Sequence, residues 1–422
     1  MARTAGAGAA AVTALHTLTG RRPTALPTGR RIEGSWWRQV DWVVVAVVLA
    51  LLAIGMVLVW SATLHRDDLT GGDPAAFLRK QAVNAAIGLV LAAVVAATDH
   101  RWLRAWAPVV YMASIIGLVL IFVPGVGATL NGSHSWLLVG GLSLQPAELA
   151  KFGVVLGMAL VLAERTEAHL RQGVNAVDVL PALLIAVVPA ALILAQPDLG
   201  TLMVLIATVF GVIGLSGAPK RWLLVLLGGG AAAVVAAMQT GVLESYQLLR
   251  FQAFMDPSLD PRGAGYNTIQ ARIAIGNGGI NGQGLFEGTQ TQSGFVPEQH
   301  TDFVFTVAGE ELGLIGASVI VALFALLLWR ALWIARHAED LFGRVAAAGV
   351  ACWFGFQAFQ NIGMCLGIMP VTGVPLPLVS YGGTSMFASL IAVGLLLNIH
   401  RRTQRRAGLG VVVHSRLARS RF

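Results

Sequence analysis

The sequence predicts an all-α integral membrane protein, a polytopic bundle of about ten transmembrane helices. Of its 422 residues, 56% are hydrophobic and only 12% are charged, whereas a soluble domain carries about 25% charged residues. The apolar residues form long blocks that lack the alternation of a half-buried strand. About 20 apolar residues in a helix cross the hydrocarbon core of a bilayer, so each block is a candidate transmembrane helix.

Ten apolar runs meet this description, and the second, fifth and sixth are the shortest. The predicted spans are 43–62, 82–98, 105–123, 144–162, 179–195, 199–215, 222–239, 303–329, 345–369 and 379–398. The first run starts beyond residue 40 and is long enough to span, so it is expected to be an uncleaved helix rather than a signal peptide.

The basic residues place both ends of the chain in the cytoplasm, where lysine and arginine accumulate. With the N-terminus inside, the inner loops carry Arg101, Arg104, Arg165, Arg171, Lys220, Arg221, Arg330, Arg336 and Arg344. The two tails add many more arginines, and the outer loops carry only Arg66, Arg79, Lys80, Arg250, Arg262 and Arg272. The net charge of +8 therefore reflects an inner surface suited to anionic lipid rather than to nucleic acid.

The chain divides into a membrane domain and two basic tails. Residues 1–40 have few large apolar groups to bury and are expected to form a disordered cytoplasmic tail. Residues 41–400 form the ten-helix domain, and 401–422 form the second cytoplasmic tail.

A long extracytoplasmic loop over 240–302 joins the predicted seventh and eighth helices. Its residues 243–254 have the amphipathic pattern of a helix lying in the membrane interface. The glycine-rich stretch 263–286 allows the backbone to approach a ligand closely. We expect this loop to be the only sizeable structure outside the membrane.

Glu148 and Lys151 form the first of four polar clusters, at the outer start of the predicted fourth helix, behind Gln145. A spacing of three puts the two charges on one helix face, where they can pair. An acid in the first turn of a helix that begins with proline is also favoured by the helix dipole alone. That explanation does not extend to Lys151, one turn deeper, so a functional role is favoured.

Asp198 lies in the second cluster, the short outer link between the predicted fifth and sixth helices. Aspartate is a preferred N-cap residue. A simple capping role for the sixth helix and a functional role are equally good explanations.

Asp302 lies in the third cluster, with Glu298 and His300, where the long loop enters the membrane. A carboxylate in such a low-dielectric position can have a raised pKa and act as a general base. An N-cap for the eighth helix is the competing explanation. His300 and Asp302 alone are too few ligands for a zinc site.

The fourth cluster is the stretch 370–385, which is broken by prolines and glycines at the start of the last helix. Broken helices at membrane depth often line cavities, because their free backbone groups need partners. The preceding helix carries a polar stripe of Gln357, Gln360, Asn361 and Met364. Hydrogen bonds between helices explain this stripe without any substrate.

These clusters describe an outward-facing, partly buried polar site, which fits both an enzyme acting on a lipid-linked substrate and a transporter. Their sequences resemble the motifs of the SEDS family (RodA, FtsW and SpoVE). The matching motifs are GAGYN, RIAIGNGG, GTQ, PEQHTDFVF, GEELGLIG, QPDLGT and MPVTGVPLPLVSYGGTS. The pairing of IAIGNGG with GTQ is most similar to the RodA elongation branch.

The resemblance implies a peptidoglycan glycosyltransferase that polymerises lipid II at the outer face of the cytoplasmic membrane. Undecaprenyl pyrophosphate leaves, and the step inverts configuration at the sugar. Such a displacement needs a general base and a group that neutralises the leaving pyrophosphate. The usual partner is a class B penicillin-binding protein, a transpeptidase expected here as a separate chain.

Within this resemblance Asp302 matches the essential aspartate and is predicted to be the catalytic base. Lys151, Glu148 and Arg250 are predicted to bind the substrate or its pyrophosphate. Supporting roles are predicted for Gln145, Asp198, Glu298, His300, Ser380 and Thr384. No cofactor is certain, although a divalent cation, Mg²⁺ or Mn²⁺, is compatible with the chemistry.

Two other functions fit part of the pattern. A flippase for lipid II also uses intramembrane charges and broken helices, but it needs polar groups on both sides of the membrane. A scaffold that only recruits the transpeptidase gives no reason for acids and a lysine on one outer rim. The polymerase is therefore the favoured reading.

Overall fold

The computed structural model describes residues 39–130, 133–139, 142–169, 173–240, 250, 252–260 and 263–419. The predicted disordered tail, apart from its last two residues, lies outside this part of the chain. Most of the predicted interfacial helix over 243–254 does so too.

The described chain is dominated by helices, as predicted. Eight of them are long and apolar enough to cross a membrane: α1 (Trp42–Leu64), α3 (Ala76–Ala97), α4 (His100–Leu120), α5 (Pro146–Ala168), α6 (Ala176–Ala195), α12 (Gly313–His337), α13 (Leu341–Leu366) and α14 (Gly383–Arg419, spanning as far as Arg405). Two shorter apolar helices, α7 (Leu199–Leu215) and α8 (Arg221–Thr240), occupy the predicted sixth and seventh positions. The polytopic α-helical fold is confirmed.

Smaller helices lie between these spans. They are α2 (Asp67–Thr70), α9 (Ala264–Gly278), α10 (Thr289–Ser293) and α11 (Val304–Glu311). A 3₁₀ turn covers Pro257–Leu259. Thus the described part of the predicted outer loop contains short helices joined by turns and irregular backbone.

Aspartate side chains begin several of the spans. Asp41, Asp99, Asp198 and Asp340 each accept a hydrogen bond from a backbone amide in the first turn of α1, α4, α7 and α13. Each bond satisfies an amide that has no partner within its own helix. The sequence places these polar caps just outside the apolar runs, which fixes where each helix starts.

The predicted eighth helix over 303–329 is wrong as a single element. It is split between α11 and α12 at Gly313, whose φ is +64°. A Cβ at this glycine would lie 2.3 Å from the backbone nitrogen of Gly282. The backbone of the outer loop packs directly against Gly313. A side chain at this position would push the loop away.

A second correction concerns the outer surface between α4 and α5. This connection forms a three-stranded antiparallel sheet of β1 (Gly127–Leu130), β2 (Ser133–Val139) and β3 (Leu142–Leu144). The loop over 240–302 is therefore not the only sizeable structure there. Short strands of mixed polarity give no signal as strong as an apolar run of spanning length.

The centre of the bundle is α5, which contacts α4, α6 and α13. Of its 18 most apolar consecutive residues, 83% are buried inside the protein. The last span α14 packs along α3. Between α13 and α14, residues 370–382 form no helix, and most of their side chains are buried or half-buried.

The first helix packs directly on this irregular segment. A Cβ at Gly55 of α1 would lie 2.5 Å from the carbonyl oxygen of Val379. Neither the backbone of α1 nor that of the segment can accept such a contact without moving. Gly55 therefore fixes the distance between α1 and residues 370–382.

We expect Gly55→Ala to destabilise the protein by about 1–3 kcal/mol, because it overpacks this contact. Gly229→Ala is the matched control, since Gly229 is a helical glycine with no neighbour within 4 Å of its Cβ position. There the exchange should stabilise by up to about 1 kcal/mol through helix propensity. Thermal unfolding in detergent measures both, and equal shifts for the two variants would contradict the assigned packing.

Candidate active site

The irregular segment 370–382 is held by the polar stripe of α13. Gln357 Nε2 donates to Pro375 O at 2.8 Å, and Asn361 Nδ2 donates to Val374 O at 2.7 Å. Gln360 Nε2 donates to the hydroxyl of Thr372 at 2.7 Å. These side chains satisfy the backbone and side-chain groups that a broken helix leaves free. Hydrogen bonding therefore explains the polar stripe of α13, and the groups that the stripe binds lie in the broken segment 370–382.

Asn361 connects this segment to the loop that carries Asp302. Its Nδ2 also donates to the backbone carbonyl of Asp302 at 2.7 Å. A Cβ at Gly373, whose φ is +70°, would lie 3.3 Å from Asp302 Oδ2. The absence of a side chain at Gly373 thus leaves room beside the carboxylate.

Asp302 does not cap a helix. The cap position of α11 is Phe303, and α11 has no side-chain cap hydrogen bond. The Asp302 carboxylate is half-buried and makes no hydrogen bond with the described part of the chain. The N-cap explanation is therefore wrong, and the oxygens of this carboxylate are available to a ligand.

The electrostatic environment keeps this carboxyl group partly protonated near neutral pH. Burial, followed by the negative charges of Glu298 and Asp198, raises the pKa of Asp302 to about 7, while the positive charge of Arg250 opposes the increase. A general base works best when its pKa is close to the operating pH. Asp302 has this property because of where the chain places it.

Glu298 and His300 shape the loop just before Asp302. Glu298 adopts a left-handed backbone conformation with φ of +48°, and the Thr301 hydroxyl donates to Glu298 Oε2 at 3.1 Å. The His300 ring packs edge-on against Phe77 at 4.9 Å between ring centroids. Burial lowers the pKa of His300, so the ring is neutral and its contacts are those of packing.

Asp198 caps α7 and also contacts the start of α5. Its Oδ1 accepts from the Thr201 amide at 3.0 Å, and its Oδ2 accepts from Gln145 Nε2 at 3.1 Å. The capping role is confirmed. Burial raises the pKa of Asp198, against hydrogen bonds from Thr201 that lower it. Gln145 thus joins the outer ends of α5 and α7.

Ser380 and Thr384 stabilise the turn that leads into α14. The Ser380 hydroxyl accepts from the Leu376 amide at 2.8 Å, and its carbonyl accepts from Gln81 Nε2 at 3.1 Å. The Thr384 hydroxyl accepts from the Gln145 amide at 3.1 Å. Ser380 therefore supports the backbone of the segment, and Thr384 joins the start of α14 to the residues just before α5.

Lys151 and Glu148 form a fully buried ion pair on α5. Lys151 Nζ lies 2.7 Å from Glu148 Oε1 and 2.7 Å from Gln357 Oε1, and 5.2 Å from the centre of the Trp353 ring. Lys151 has no exposed surface. The predicted contact with a phosphate stays a prediction, and it requires Lys151 to exchange one of these partners.

Glu310 is a residue whose role the sequence did not predict. Its carboxylate is buried and accepts from the Gln290 amide at 2.7 Å and the Thr291 amide at 2.9 Å. It therefore anchors α10 within the outer loop, while the neighbouring Glu311 accepts from the Ser61 hydroxyl of α1. Two adjacent acids within an apolar run were the signal for this anchoring.

Together these residues line the outer rim where α5, α7, α13 and the segment 370–382 meet. The charges of Lys151 and Glu148 act on Asp198, and those of Asp198 and Arg250 act on Asp302. The charges of the predicted site residues thus act on one another, although Glu148, Asp198 and Asp302 lie far apart in the sequence. The arrangement offers a partly buried base beside cations.

A bound metal ion has little protein support at this rim. No group of three or more His, Cys, Asp or Glu side chains in the described residues is placed to hold one. In the ion pair of Glu148 and Lys151, Glu148 Oε2 is buried without a hydrogen-bond partner in the described chain. One oxygen is too few to hold a metal ion. The described residues do not fit a resident metal centre.

The model of the FtsW, RodA and SpoVE family, described as a cell cycle protein, matches residues 41–405. The chain belongs to this family. Peptidoglycan glycosyltransferase MrdB of Escherichia coli strain K12 is 38% identical over 379 residues, which cover 87% of this chain and 95% of the relative. A probable peptidoglycan glycosyltransferase FtsW of Trichlorobacter lovleyi is 38% identical over 361 residues, covering 86% and 93%.

A solved structure of a peptidoglycan synthase complex that coordinates polymerization and crosslinking contains a similar chain. The two superpose with a TM-score of 0.71 at 35% identity, over 86% of this chain and 98% of the other. Family membership places the multi-pass domain in the cytoplasmic membrane. The matched residues 41–405 include all four polar clusters.

We expect Lys151→Met to destabilise the protein by about 3–5 kcal/mol, because it leaves Glu148 buried without its counter-ion. The double variant Lys151→Met with Glu148→Gln removes both charges and should recover most of that stability. Thermal unfolding in detergent compares the two. A double variant as unstable as the single one would show that the ion pair is not what holds these side chains.

Proposed function

We propose that this chain is a peptidoglycan glycosyltransferase that polymerises lipid II into glycan strands at the outer face of the cytoplasmic membrane. The names of its relatives support the reaction class. The observation that carries the residue assignment is the Asp302 carboxylate, half-buried, free of hydrogen bonds to the described chain, and with a pKa of about 7.

Asp302 acts as the general base of an inverting displacement. The acceptor sugar hydroxyl attacks the anomeric carbon of the donor, the bond from that carbon to the pyrophosphate oxygen breaks, and the hydroxyl proton passes to Asp302. The new glycosidic bond is β-linked because the donor is an α-linked pyrophosphate. Undecaprenyl pyrophosphate leaves with the electron pair of the broken bond.

The leaving pyrophosphate needs positive charge close to the reacting carbon. Arg250 is the cation whose charge acts directly on Asp302, and we assign it to the pyrophosphate. Lys151, which is buried against Glu148 and Gln357, serves the reaction by positioning the outer end of α5. It contacts a phosphate only after exchanging a partner.

A divalent cation, Mg²⁺ or Mn²⁺, would be bound by the substrate phosphates and would neutralise charge on the leaving pyrophosphate. Mg²⁺ keeps several waters and takes one or two carboxylates together with substrate phosphates. The described residues lack a group of three or more metal-ligating side chains.

The partner is a class B penicillin-binding protein, which crosslinks the strand that this chain makes. The similarity to a chain of a peptidoglycan synthase complex supports this partner class. The biological role is cell elongation, on the strength of the RodA-like pairing of IAIGNGG with GTQ. Relatives named FtsW and MrdB are equally identical to this chain, so overall identity does not separate the branches.

We expect Asp302→Ala and Asp302→Asn to abolish polymerisation of labelled lipid II, measured as glycan ladders on a gel. Loss of a general base costs about 10²–10⁴-fold. Glu287→Gln, which removes an exposed acid of the same outer loop, is the matched control and should retain activity. Ladders from a folded Asp302→Ala would refute the base assignment. No ladders from wild type, even with its partner, would instead favour lipid II flipping or scaffolding.

The rate should depend on pH in a direction set by the pKa of Asp302. Only the carboxylate accepts a proton, so kcat/KM should rise as the pH increases through about 7. Removing the negative charge in Glu298→Gln should shift this profile to lower pH, and removing the positive charge in Arg250→Gln should shift it to higher pH. Shifts in the same direction would contradict the electrostatic assignment.

A further inference from the structure

A basic cavity lies at the cytoplasmic end of the bundle, far along the helices from Asp302. Its volume is about 630 Å³, and it is lined where α3 ends, where α4 begins and along α14. Small-molecule sites typically have volumes of about 300–1,000 Å³. The cavity is therefore large enough for a phosphate-bearing headgroup.

The charge on its walls is mainly positive. Arg101, Arg401, Arg402 and Arg405 line it, against a single acid, Asp99. Arg401 and Arg405 are one turn apart on α14, a spacing at which like charges repel each other. An anion between them relieves that repulsion.

The acids beneath this cavity are already neutralised by other groups. Arg402 pairs with Glu339 and with Asp340 at 3.0 Å each. Burial alone would raise the pKa of Asp340, but the hydrogen bond from His100 and the charge of Arg402 keep it well below its usual range. Neither Glu339 nor Asp340 forms an ion pair with Arg101 or Arg401.

Neither Arg101 nor Arg401 forms an ion pair within the described chain, although the charge of Asp99 acts on Arg401. Arg401 donates to the carbonyl of Ala97 at 3.0 Å, which completes the end of α3. The side chain of Arg101 makes no hydrogen bond or ion pair with any described residue. Both guanidinium groups thus retain donors for a ligand.

His100 adds a second, independent sign of a ligand. It lines the cavity and is only 6% exposed. Its Nε2 lies 2.9 Å from Asp340 Oδ2, whereas its Nδ1 has no hydrogen-bond partner among the described residues. Buried polar atoms without partners are rare, and each calls for an explanation. A hydrogen-bonding group of a ligand in the cavity supplies one.

The position of the cavity indicates a lipid rather than a soluble anion. It lies where α3 ends at Ala97, where α4 begins, and beside the inner end of the α14 span at Arg405. Trp102 and Trp106 of α4 are 61% and 54% exposed next to it. Tryptophan is enriched at the headgroup level of the membrane, so the cavity opens at that level.

We propose that this cavity binds the phosphate headgroup of an anionic phospholipid of the inner leaflet. Basic pockets between transmembrane helices on the cytoplasmic side bind such headgroups. The site is separate from the outer reaction centre, and it joins α3, α4 and α14 at their inner ends.

The test uses the purified full-length protein and native mass spectrometry. Phosphatidylglycerol is titrated against phosphatidylcholine with the same acyl chains, and inorganic phosphate and pyrophosphate are then added as competitors. Wild type should prefer phosphatidylglycerol. Arg101→Gln and Arg401→Gln should each weaken its binding about fivefold, and the double variant about 25-fold.

Arg336→Gln is the matched control, since Arg336 is an exposed arginine at the inner end of α12 that does not line the cavity. It should bind phosphatidylglycerol like wild type. Arg101→Gln keeps the test decisive if Arg401→Gln unfolds, because the Arg101 side chain has no hydrogen bond or ion pair with the described residues to lose. Equal binding by all variants, or equal binding of phosphatidylcholine, would overturn the proposal. Displacement of the lipid by phosphate or pyrophosphate would overturn the lipid assignment in favour of a soluble anion.

Discussion

The structure depends on one constraint: a broken stretch of backbone within the bundle must find hydrogen-bond partners inside the protein. Residues 370–382 lack the hydrogen bonds of a helix, and no water is available in the hydrocarbon core to replace them. Gln357 and Asn361 donate to the carbonyls of Pro375 and Val374, and Gln81 donates to Ser380. Two helices, α13 and α3, are thereby tied to one irregular segment.

The same bonds position the chemistry. Asn361 donates both to this segment and to the backbone of Asp302, and Gln357 accepts from Lys151 while it donates to Pro375. The side chains that satisfy the broken segment therefore also hold the base and the buried ion pair. A site built this way is rigid, because moving any member leaves a buried polar group without its partner.

Most of the fold could be predicted from the sequence because a bilayer imposes a simple rule on length and polarity. The apolar runs, the inside-positive bias and the capping aspartates such as Asp198 are local signals. The break at Gly313 and the small sheet between α4 and α5 were missed, because each depends on contacts with distant parts of the chain. The contact of Gly313 with Gly282 is one example.

The sequence predicted which residues belong to the site better than it predicted the role of each residue. Asp302, Asp198 and the Glu148–Lys151 pair were selected because charges near a membrane are costly. Local sequence left the N-cap role of Asp302 open, and the structure excludes it because the cap position falls on Phe303. The burial of Lys151 against Gln357 and Trp353 joins residues about 200 positions apart, since Lys151 and Gln357 are separated by 206. No pattern within one helix reveals it.

The central claim is that the fold holds the Asp302 carboxyl with a pKa near neutrality. Infrared difference titration of protein labelled with ¹³C-aspartate measures this directly, with Asp302→Asn as the reference. The account predicts a carboxyl band that titrates near pH 7 and is absent from the variant. If every aspartate band titrates near the ordinary value of about 4, Asp302 is an ordinary exposed acid and the account is contradicted.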